Sequence, residues 1–458
     1  MISRRSFLTK ATGVASAFCF TNSYARREVA WPSENTIGSI QKQTKELTYF
    51  LENEFIVNCR PGIFVLENPI RVNAKYIDIR GSQGGEKTEL HCLNERKGGL
   101  NVHGAIGINI SDIHLYWPPV GRKARHHSGA GILLVKSMNI LVLRSSVHGA
   151  PGAGIHFERC RNVNARSLFV ENTLADGVHF QNSSNCNGYD LTTSNTGDDG
   201  VAIVDYRHSK KSSGFYLEKI TTIGSEARGI AFVGARNGVL KDFFIDLTHT
   251  NGLHIEQDAH YDTRASENIR IISGEIKRSG DYKSLYKAEG ANAFGVNILR
   301  AKNIHLDGIN VSNTRRFGCF ISSSQQIKLF NMFVKNSRQT AMYFLNTNNI
   351  LLKSIEVQGV ASPFFNVSGV VDLQGEKVVI IDQSHRLEVS AIFVHRTKLS
   401  ITKNIYIHAL ELKSIENNVN KVFLIKASQV ENVKFEYSSI DTVKVFGGAG
   451  EVALFRKY

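Results

Sequence analysis

The sequence predicts an all-β fold, a single-stranded right-handed parallel β-helix with an N-terminal capping helix, on three observations. A glycine recurs at a fixed step of 23 residues, at Gly131, Gly154, Gly177 and Gly200. An Asn or Gln stands eight residues after most members of this series. Short stretches of alternating apolar and polar residues follow the glycines, which is typical of strands. Units of this length cannot bury a core alone, so stacking into a solenoid is expected.

Both markers extend through the middle of the chain, where two longer glycine steps of 29 and 43 residues indicate loop insertions. The later members of the glycine series are Gly229, Gly252, Gly295, Gly318 and Ala341. The amide column comprises Asn139, Asn162, Asn185, Asn237, Asn268, Asn303, Gln326 and Asn349. We expect these amides to stack at an inward turn and to hydrogen-bond from coil to coil. The Gly or Ala marks a tight corner.

The N-terminal elements precede the regular coils. Residues 26–98 are predicted to hold a cap and the first coils, continuous with the β-helix over residues 99–458. Helical spacing from Ile40 to Glu52 predicts a helix that covers the open strand edge at this end. The chain contains six cysteines and no Cys-x-x-Cys pair, so buried cysteines are expected rather than a zinc site or a disulfide framework.

The net charge and a targeting segment limit where the protein can act and what it can bind. The net charge of +14 indicates an anionic partner, which could be nucleic acid, a membrane surface or an acidic polysaccharide. Residues 1–25 resemble a twin-arginine export signal, because Arg4 and Arg5 precede an apolar stretch from Ala11 to Phe20. That stretch is far shorter than the roughly 20 residues of a membrane span. We therefore expect a periplasmic or secreted protein without stable membrane insertion and without a nucleic acid partner.

Numbering each coil from its glycine separates the buried from the outward positions. Positions +1 and +3 are apolar, so positions +2 and +4 point outward and form ladders about 4.8 Å apart on one sheet. The most polar ladders hold His156, His179 and His254 at +2, with Glu158, Gln181 and Glu256 at +4. This face predicts substrate binding, although it could also be a plain polar surface or a metal site.

Acidic residues adjoin the same face on two neighbouring coils. Asp176 precedes Gly177, Asp198 and Asp199 precede Gly200, and Arg228 precedes Gly229 one coil on. Asp beside Gly is common in ordinary turns. Here the acidic residues stand at matching positions relative to the coil glycines. We therefore expect their side chains to lie close together and the pKa of one of them to be raised. Such carboxyls suit glycosidic bond cleavage, which needs a proton donor and a group that activates water.

The segments Asn172 to Gly177 and Asn195 to Ile203 resemble the polygalacturonase family of glycoside hydrolases, which has the pectin-lyase-like β-helix fold. The resemblance implies hydrolysis of pectin-type chains with inversion, without a metal or another cofactor. It also implies that Asp198 is the general acid, while Asp176 and Asp199 hold the attacking water.

Two departures from the family pattern bear on the substrate. The chain has Arg228 where the family has a His, and His254 and Glu256 where it has Arg and Lys for a galacturonate carboxylate. We therefore expect a bacterial exopolysaccharide other than homogalacturonan, with a neutral residue at that subsite. One alternative is a polysaccharide lyase or uronate epimerase that uses Arg228, His179 or His254. Another is a non-catalytic glycan-binding β-helix. The sugar, the linkage and the oligomeric state stay open.

Overall fold

The structure is a computed structural model, and it describes residues 26–33, 40–119, 125–126, 128–209, 213–283, 292–360, 363–383, 388–397, 400–414, 422–439, 442–447 and 450–456. The export signal predicted over residues 1–25 lies outside the described residues, so export and location stay predictions. No helix in the described ranges is long and apolar enough to cross a membrane. Helix α1 (Ile40–Glu52) occupies the segment predicted as the cap.

The first twelve strands have three to six residues, whereas between residues 155 and 382 strands of four residues alternate with strands of 11 to 13 residues. The first twelve are β1 (Glu28–Trp31), β2 (Ile56–Cys59), β3 (Gly62–Leu66), β4 (Ile70–Val72), β5 (Tyr76–Arg80), β6 (Thr88–Cys92), β7 (Leu100–His103), β8 (Gly107–Ser111), β9 (Ile113–Tyr116), β10 (Ile132–Val135), β11 (Met138–Leu143) and β12 (Ser146–His148). The next twelve are β13 (Ile155–Glu158), β14 (Arg161–Glu171), β15 (Val178–Gln181), β16 (Ser184–Thr196), β17 (Val201–Val204), β18 (Phe215–Ser225), β19 (Ile230–Val233), β20 (Arg236–Thr248), β21 (Leu253–Glu256), β22 (Glu267–Ser279), β23 (Val296–Leu299) and β24 (Lys302–Ser312). The last twelve are β25 (Cys319–Ser322), β26 (Gln325–Lys335), β27 (Met342–Leu345), β28 (Asn348–Gln358), β29 (Phe365–Ser368), β30 (Val371–Asp382), β31 (Glu388–His395), β32 (Thr402–Ser414), β33 (Val422–Ser428), β34 (Val430–Ser439), β35 (Thr442–Gly447) and β36 (Gly450–Arg456).

These strands form two parallel sheets. Within the described residues, a 15-stranded sheet contains β4, β7, β10, β13 and the odd-numbered strands from β15 to β35, and a 21-stranded sheet contains the others. We call them the short-strand sheet and the long-strand sheet. In the regular coils each residue pairs with the residue 23 positions later, as Ile155 with Val178 and Val178 with Val201. The predicted right-handed parallel β-helix is confirmed.

The amide column lies at one corner of the coils, where Gly214 interrupts it between Asn185 and Asn237, and several of its members bond from coil to coil as predicted. The Asn162 Nδ2 donates to Asn139 Oδ1 at 2.9 Å, and the Asn185 Nδ2 donates to Asn162 Oδ1 at 3.1 Å. Asn162 and Asn185 adopt a positive φ, of 56° and 54°, which Asn tolerates better than most residues. The column is half-buried or exposed, so the expected inward turn is wrong. The adjacent Ile140 and Val163 fill the core instead, which leaves the amides on the outer side of the corner.

The N-terminal cap buries its apolar face against the first strands. Leu47 and Leu51 of α1 are fully buried beside β1 to β5, and the Trp31 Nε1 donates to the Gln43 carbonyl at 3.0 Å. This contact covers the end of the solenoid, as the sequence predicted. The cysteines of the described residues are buried and unpaired, in agreement with their predicted role as small core residues. They are Cys59, Cys92, Cys160, Cys186 and Cys319.

The glycine column allows successive coils to approach closely. A Cβ on Gly318 would lie 2.7 Å from the Ala341 carbonyl oxygen and 2.2 Å from a methyl group of Val334. Gly318→Ala is therefore expected to destabilise the fold by about 1–3 kcal/mol through overpacking. Thermal or denaturant unfolding followed by circular dichroism measures the change. Gly85→Ala is the control, because no atom of the described residues lies within 4 Å of a Cβ at that position. Equal stability of the two variants would contradict tight stacking of the glycines.

Candidate active site

A groove of about 750 Å³ lies on the short-strand sheet, along the strands from β13 to β21. Alternation puts the +1 and +3 side chains in the core, as for the buried Val178 and Phe180, so +2 and +4 side chains face the groove. Each strand follows its corner glycine directly, so the residues before the glycine sit at the groove edge. Most of the predicted site residues line this groove, namely Asp176, Asp198, Asp199, His156, His179, Arg228, His254 and Glu256.

Three carboxyl groups converge at the groove edge. Asp176, Asp198 and Asp199 each contribute an oxygen, and these oxygens lie within 4.8 Å of one another. The Asp199 backbone N–H donates to Asp176 Oδ1 at 3.0 Å, and the Arg228 backbone N–H donates to Asp199 Oδ1 at the same distance. The Asp198 side chain is 29% exposed, compared with 3% for that of Asp199. Asp198 is therefore the most accessible acid of the cluster.

Every acid of the cluster has a cationic partner. Arg228 forms a bidentate pair with Asp199, with both N–O distances at 2.6 Å. The Arg125 Nη2 donates to Asp198 Oδ2 at 2.7 Å. The His179 Nδ1 lies 2.8 Å from Asp176 Oδ2. A divalent cation bound by the three carboxyls would compete with these counter-charges, which argues against a metal as the natural occupant.

Burial and these partners set the charge of the buried groups. Burial raises the pKa of Asp176, but His179, the Asp199 N–H and Arg228 together outweigh it, and the resulting pKa is about 2. Burial lowers the pKa of His179, but Asp176, Asp199 and Asp198 together outweigh it, so the pKa is raised, which favours the imidazolium. Burial also raises the pKa of Asp199, against the opposing effect of Arg228. The sequence predicted a raised pKa for one acid of the cluster, and the acid with the raised pKa is Asp199.

The Asp176–His179 pair predicts a specific pH dependence of stability. The raised pKa of His179 stabilises the fold below the unfolded value of about 6.5, and this contribution disappears as the pH rises through the folded pKa. The lowered pKa of Asp176 contributes above about pH 4 and is lost as the pH falls towards 2. The melting temperature of Asp176→Asn should therefore differ from wild type more at about pH 5.5 than at about pH 9. An equal difference at both pH values would contradict the ion pair.

His254 belongs to a separate hydrogen-bond cluster at the other end of the groove. The Phe294 N–H donates to Asn251 Oδ1 at 3.2 Å, which turns the Asn251 Nδ2 towards His254 Nδ1. The Asn297 Nδ2 also reaches this nitrogen, at 3.0 Å. His254 Nδ1 is thus an acceptor, and its Nε2–H donates to Glu256 Oε2 at 2.7 Å. Burial lowers the pKa of His254, in keeping with a neutral ring.

Glu256 is held from two sides. Its Oε2 accepts from His254, and its Oε1 pairs with the Arg300 guanidinium. Its charge is therefore largely balanced by Arg300, so Glu256 repels a substrate carboxylate less than an unpaired Glu would. Glu256 still lines the groove, where its remaining lone pairs face the space available to a sugar.

The last two predicted residues differ in their position. His156 lines the groove, stacks on His179 with ring centroids 4.7 Å apart, and its Nε2 lies 3.1 Å from Gln181 Oε1. Glu158 is not among the described residues that line the groove. It lies beside Arg159, at an N–O distance of 3.5 Å. The structure therefore brings together all the predicted site residues except Glu158.

Among the residues that the predictions missed, Arg125 and Tyr206 line the groove, and Asn297 and Arg300 contact its lining residues His254 and Glu256. Asn297 pairs in register with His254, so it continues the +2 ladder, and Arg300 stands at +5 of the same coil. Arg125 comes from the long insertion before Gly131, which has no coil position, and no periodic rule places it beside Asp198. Tyr206 lines the groove from the turn after β17.

The centre of the groove is apolar. Ala202 and Ala231 at +2, with Val204 and Val233 at +4, form a small outward cluster against which Tyr206 packs. These four residues interrupt the polar ladders between His179 and His254. The groove thus has an apolar centre between the acid cluster and the His254–Glu256 cluster.

No family model matches the chain, and no curated protein matches its sequence. The catalytic domain of a GH87 α-1,3-glucanase variant, solved with tetrasaccharides, is 17% identical with a TM-score of 0.55, covering 77% of this chain. The chain spans just under two thirds of that domain, 66%.

Two further structures are similar to the chain at different levels. An N-terminal fragment of bacteriophage Phi29 gene product 12 is 10% identical, with a TM-score of 0.55 and coverage of 90% of both chains. A periplasmic alginate epimerase mutant is 11% identical, with a TM-score of 0.42 and coverage of 86% of this chain and 78% of that one. At these identities the likeness to the glucanase domain and the phage protein concerns the fold. The polygalacturonase resemblance rests on sequence motifs alone, and the chain has the parallel β-helix fold.

Proposed function

We propose that the protein is a glycoside hydrolase that cleaves a bacterial exopolysaccharide. The observation that carries the proposal is the convergence of Asp176, Asp198 and Asp199 within 4.8 Å at the edge of an open groove. Glycosidic cleavage needs a carboxyl that protonates the leaving oxygen and another that positions water. The motif resemblance to polygalacturonases gives these acids the same roles, and a glucanase domain of the same fold binds tetrasaccharides.

In this proposal Asp198 is the general acid. It is the most exposed acid of the cluster, and the Arg125 guanidinium donates to its Oδ2. In the reaction the glycosidic oxygen takes the place of this guanidinium and receives the proton of the Asp198 carboxyl. Asp176, with a pKa of about 2, stays ionised and accepts a hydrogen bond from the attacking water. Asp199, fixed by Arg228, completes the water site.

The proposal includes inversion of configuration, because a water held by Asp176 and Asp199 that attacks the anomeric carbon directly inverts it. The motif resemblance implies the same outcome, and the carboxyl oxygens lie within 4.8 Å of one another, closer than the roughly 6.5–9.5 Å typical of inverting enzymes. The anomer released first, identified by proton nuclear magnetic resonance, reports the stereochemistry directly.

A lyase or epimerase is less well supported, because each candidate base is already committed. Arg228 is held by Asp199, and burial opposes but does not overcome the acids that raise its pKa. His179 is paired with Asp176, which favours its protonated form. His254 accepts at Nδ1 from two amides and donates from Nε2 to Glu256. None of these three residues offers a free base for the C5 proton of a uronate.

Digestion of a panel of bacterial exopolysaccharides tests the proposal. We expect new reducing ends without new ultraviolet absorption, because hydrolysis creates no double bond. Absorbing products would support the lyase instead. Binding to a polysaccharide without any cleavage would support the non-catalytic β-helix.

Substrate charge gives a further prediction. Arg300 is engaged by Glu256, so we expect negligible cleavage of polygalacturonate by the wild-type enzyme. Glu256→Gln removes the carboxylate and frees the guanidinium for a substrate carboxylate, so cleavage of uronate-containing polymers should rise relative to neutral ones. Initial rates on paired neutral and acidic polymers measure this ratio. An unchanged ratio, or efficient cleavage of polygalacturonate by wild type, would contradict the role given to Glu256.

A further inference from the structure

A second polar cluster lies on the long-strand sheet, away from the groove. The parallel strands β9, β12 and β14 are neighbours there, and Ser146 and His148 flank the fully buried Val147. Strand alternation therefore puts both side chains on the outer face of the sheet, where neighbouring side chains leave Ser146 6% and the His148 side chain 19% exposed. In register, His148 pairs with Glu171 on the following coil, and Ser146 pairs with His114 on the preceding one.

The hydrogen bonds within this cluster form one ordered chain. The Ser146 Oγ lies 2.8 Å from His148 Nε2, and the His148 Nδ1 lies 2.9 Å from Glu171 Oε1. A carboxylate can only accept, so we assign the His148 proton to Nδ1, which leaves Nε2 to accept from the serine hydroxyl. The His114 Nδ1, 2.8 Å from the same Oγ, is then the donor to it. Burial lowers the pKa of His114, which is consistent with a neutral ring.

We propose that Ser146, His148 and Glu171 form a second catalytic site, which hydrolyses short-chain carboxylic esters. The nucleophile, the base and the carboxylate that orients the base occupy the atoms that acyl transfer through serine requires, with the carboxylate on Nδ1 and the hydroxyl on Nε2. Phe169, in register with Ser146 and 38% exposed, gives the acyl group an apolar surface. The ring of Tyr116 stacks on His148 at 4.3 Å and restricts its orientation.

The reaction is balanced in two steps. The Ser146 Oγ forms a bond to the ester carbonyl carbon while its proton passes to His148 Nε2, and the alcohol leaves with that proton as the C–O bond breaks. Water then attacks the acyl-serine and gives a proton to His148 Nε2. The carboxylic acid departs as that proton returns to the Ser146 Oγ. Glu171 keeps its hydrogen bond to His148 Nδ1 throughout and is a positioning residue.

The test uses the full chain, a fluorophosphonate probe and p-nitrophenyl acetate. We expect mass spectrometry to locate the probe on Ser146, and we expect Ser146→Ala to lose both the label and the acetate hydrolysis. His148→Gln should slow labelling by about 10²- to 10⁴-fold, because it cannot accept the proton. Ser194→Ala is the matched control, since Ser194 is the serine in register with Glu171 on the next coil. It should label as wild type does.

A separate measurement tests the role of Glu171. Glu171→Gln should slow the labelling of Ser146, and Glu171→Asp should restore part of the rate, because a carboxylate can again accept from His148 Nδ1. Circular dichroism melts of all variants confirm that the fold is kept. Absence of label on Ser146 in the folded wild-type protein, or an unchanged labelling rate in His148→Gln, would overturn the proposal. Cleavage of the polysaccharide by Ser146→Ala should stay at the wild-type rate, which separates this site from the groove.

Discussion

The Asp198→Asn variant is expected to lose polysaccharide cleavage by about 10²- to 10⁴-fold, the usual contribution of a general acid. Asn keeps the size of Asp198 and can accept a hydrogen bond from Arg125, but it has no proton to donate to the leaving oxygen. Initial rates with the identified polysaccharide measure the loss. The effect should be mainly on kcat, since substrate contacts elsewhere in the groove are unchanged.

A substrate that needs no protonation makes this test specific. With an activated aryl leaving group on the same sugar, the Asp198→Asn variant should recover most of its rate, because the leaving group departs as an anion. Asp307→Asn is the matched control, since Asp307 is an acid of the long-strand sheet that accepts a bond from Asn331. Wild-type activity in Asp198→Asn, or an equal loss with both leaving groups, would remove Asp198 from the role of acid.

Arg228→Met is expected to cost about 3–5 kcal/mol of stability and to abolish activity. The substitution keeps an apolar stem but leaves the Asp199 carboxyl, which is 3% exposed, without its bidentate partner. An unpaired buried charge is more costly than the loss of a surface ion pair. The midpoint of denaturant unfolding, followed by circular dichroism, measures the change.

A double substitution identifies the cause of this loss. Arg228→Met combined with Asp199→Asn removes the stranded charge, so it should be more stable than Arg228→Met alone. Arg338→Met is the control, because the exposed pair of Arg338 with Asp281 should contribute only about 0–1 kcal/mol. If Arg228→Met unfolds like Arg338→Met, the buried pair does not stabilise the site.

The fold was predictable because a solenoid repeats its constraints. The step from Gly131 to Gly154 is the register in which β10 pairs with β13, so the period of the sequence is the period of the coil. The amide column was predicted with its bonding partners but on the wrong side of the corner. Apolar residues that follow directly, such as Ile140, already fill the core at that point.

The site was predictable only where it follows the ladders. Asp176, Asp199 and Arg228 share one position on successive coils, and the structure joins them by hydrogen bonds between those coils. Arg125 contacts an acid 73 residues away from within an insertion, and insertions carry no coil position. The partner of Glu256 was missed because Arg300 follows an irregular step of 43 residues between glycines.

The origin of the oxygen at the new chain end tests the central claim most directly. The exopolysaccharide that the enzyme cleaves is digested in water enriched in ¹⁸O, and the products are analysed at once by mass spectrometry. We expect one ¹⁸O at each new reducing end from the wild-type enzyme, and no product from Asp198→Asn in the same time. Unsaturated products without the label would show elimination instead of hydrolysis and would contradict the account of the acid cluster.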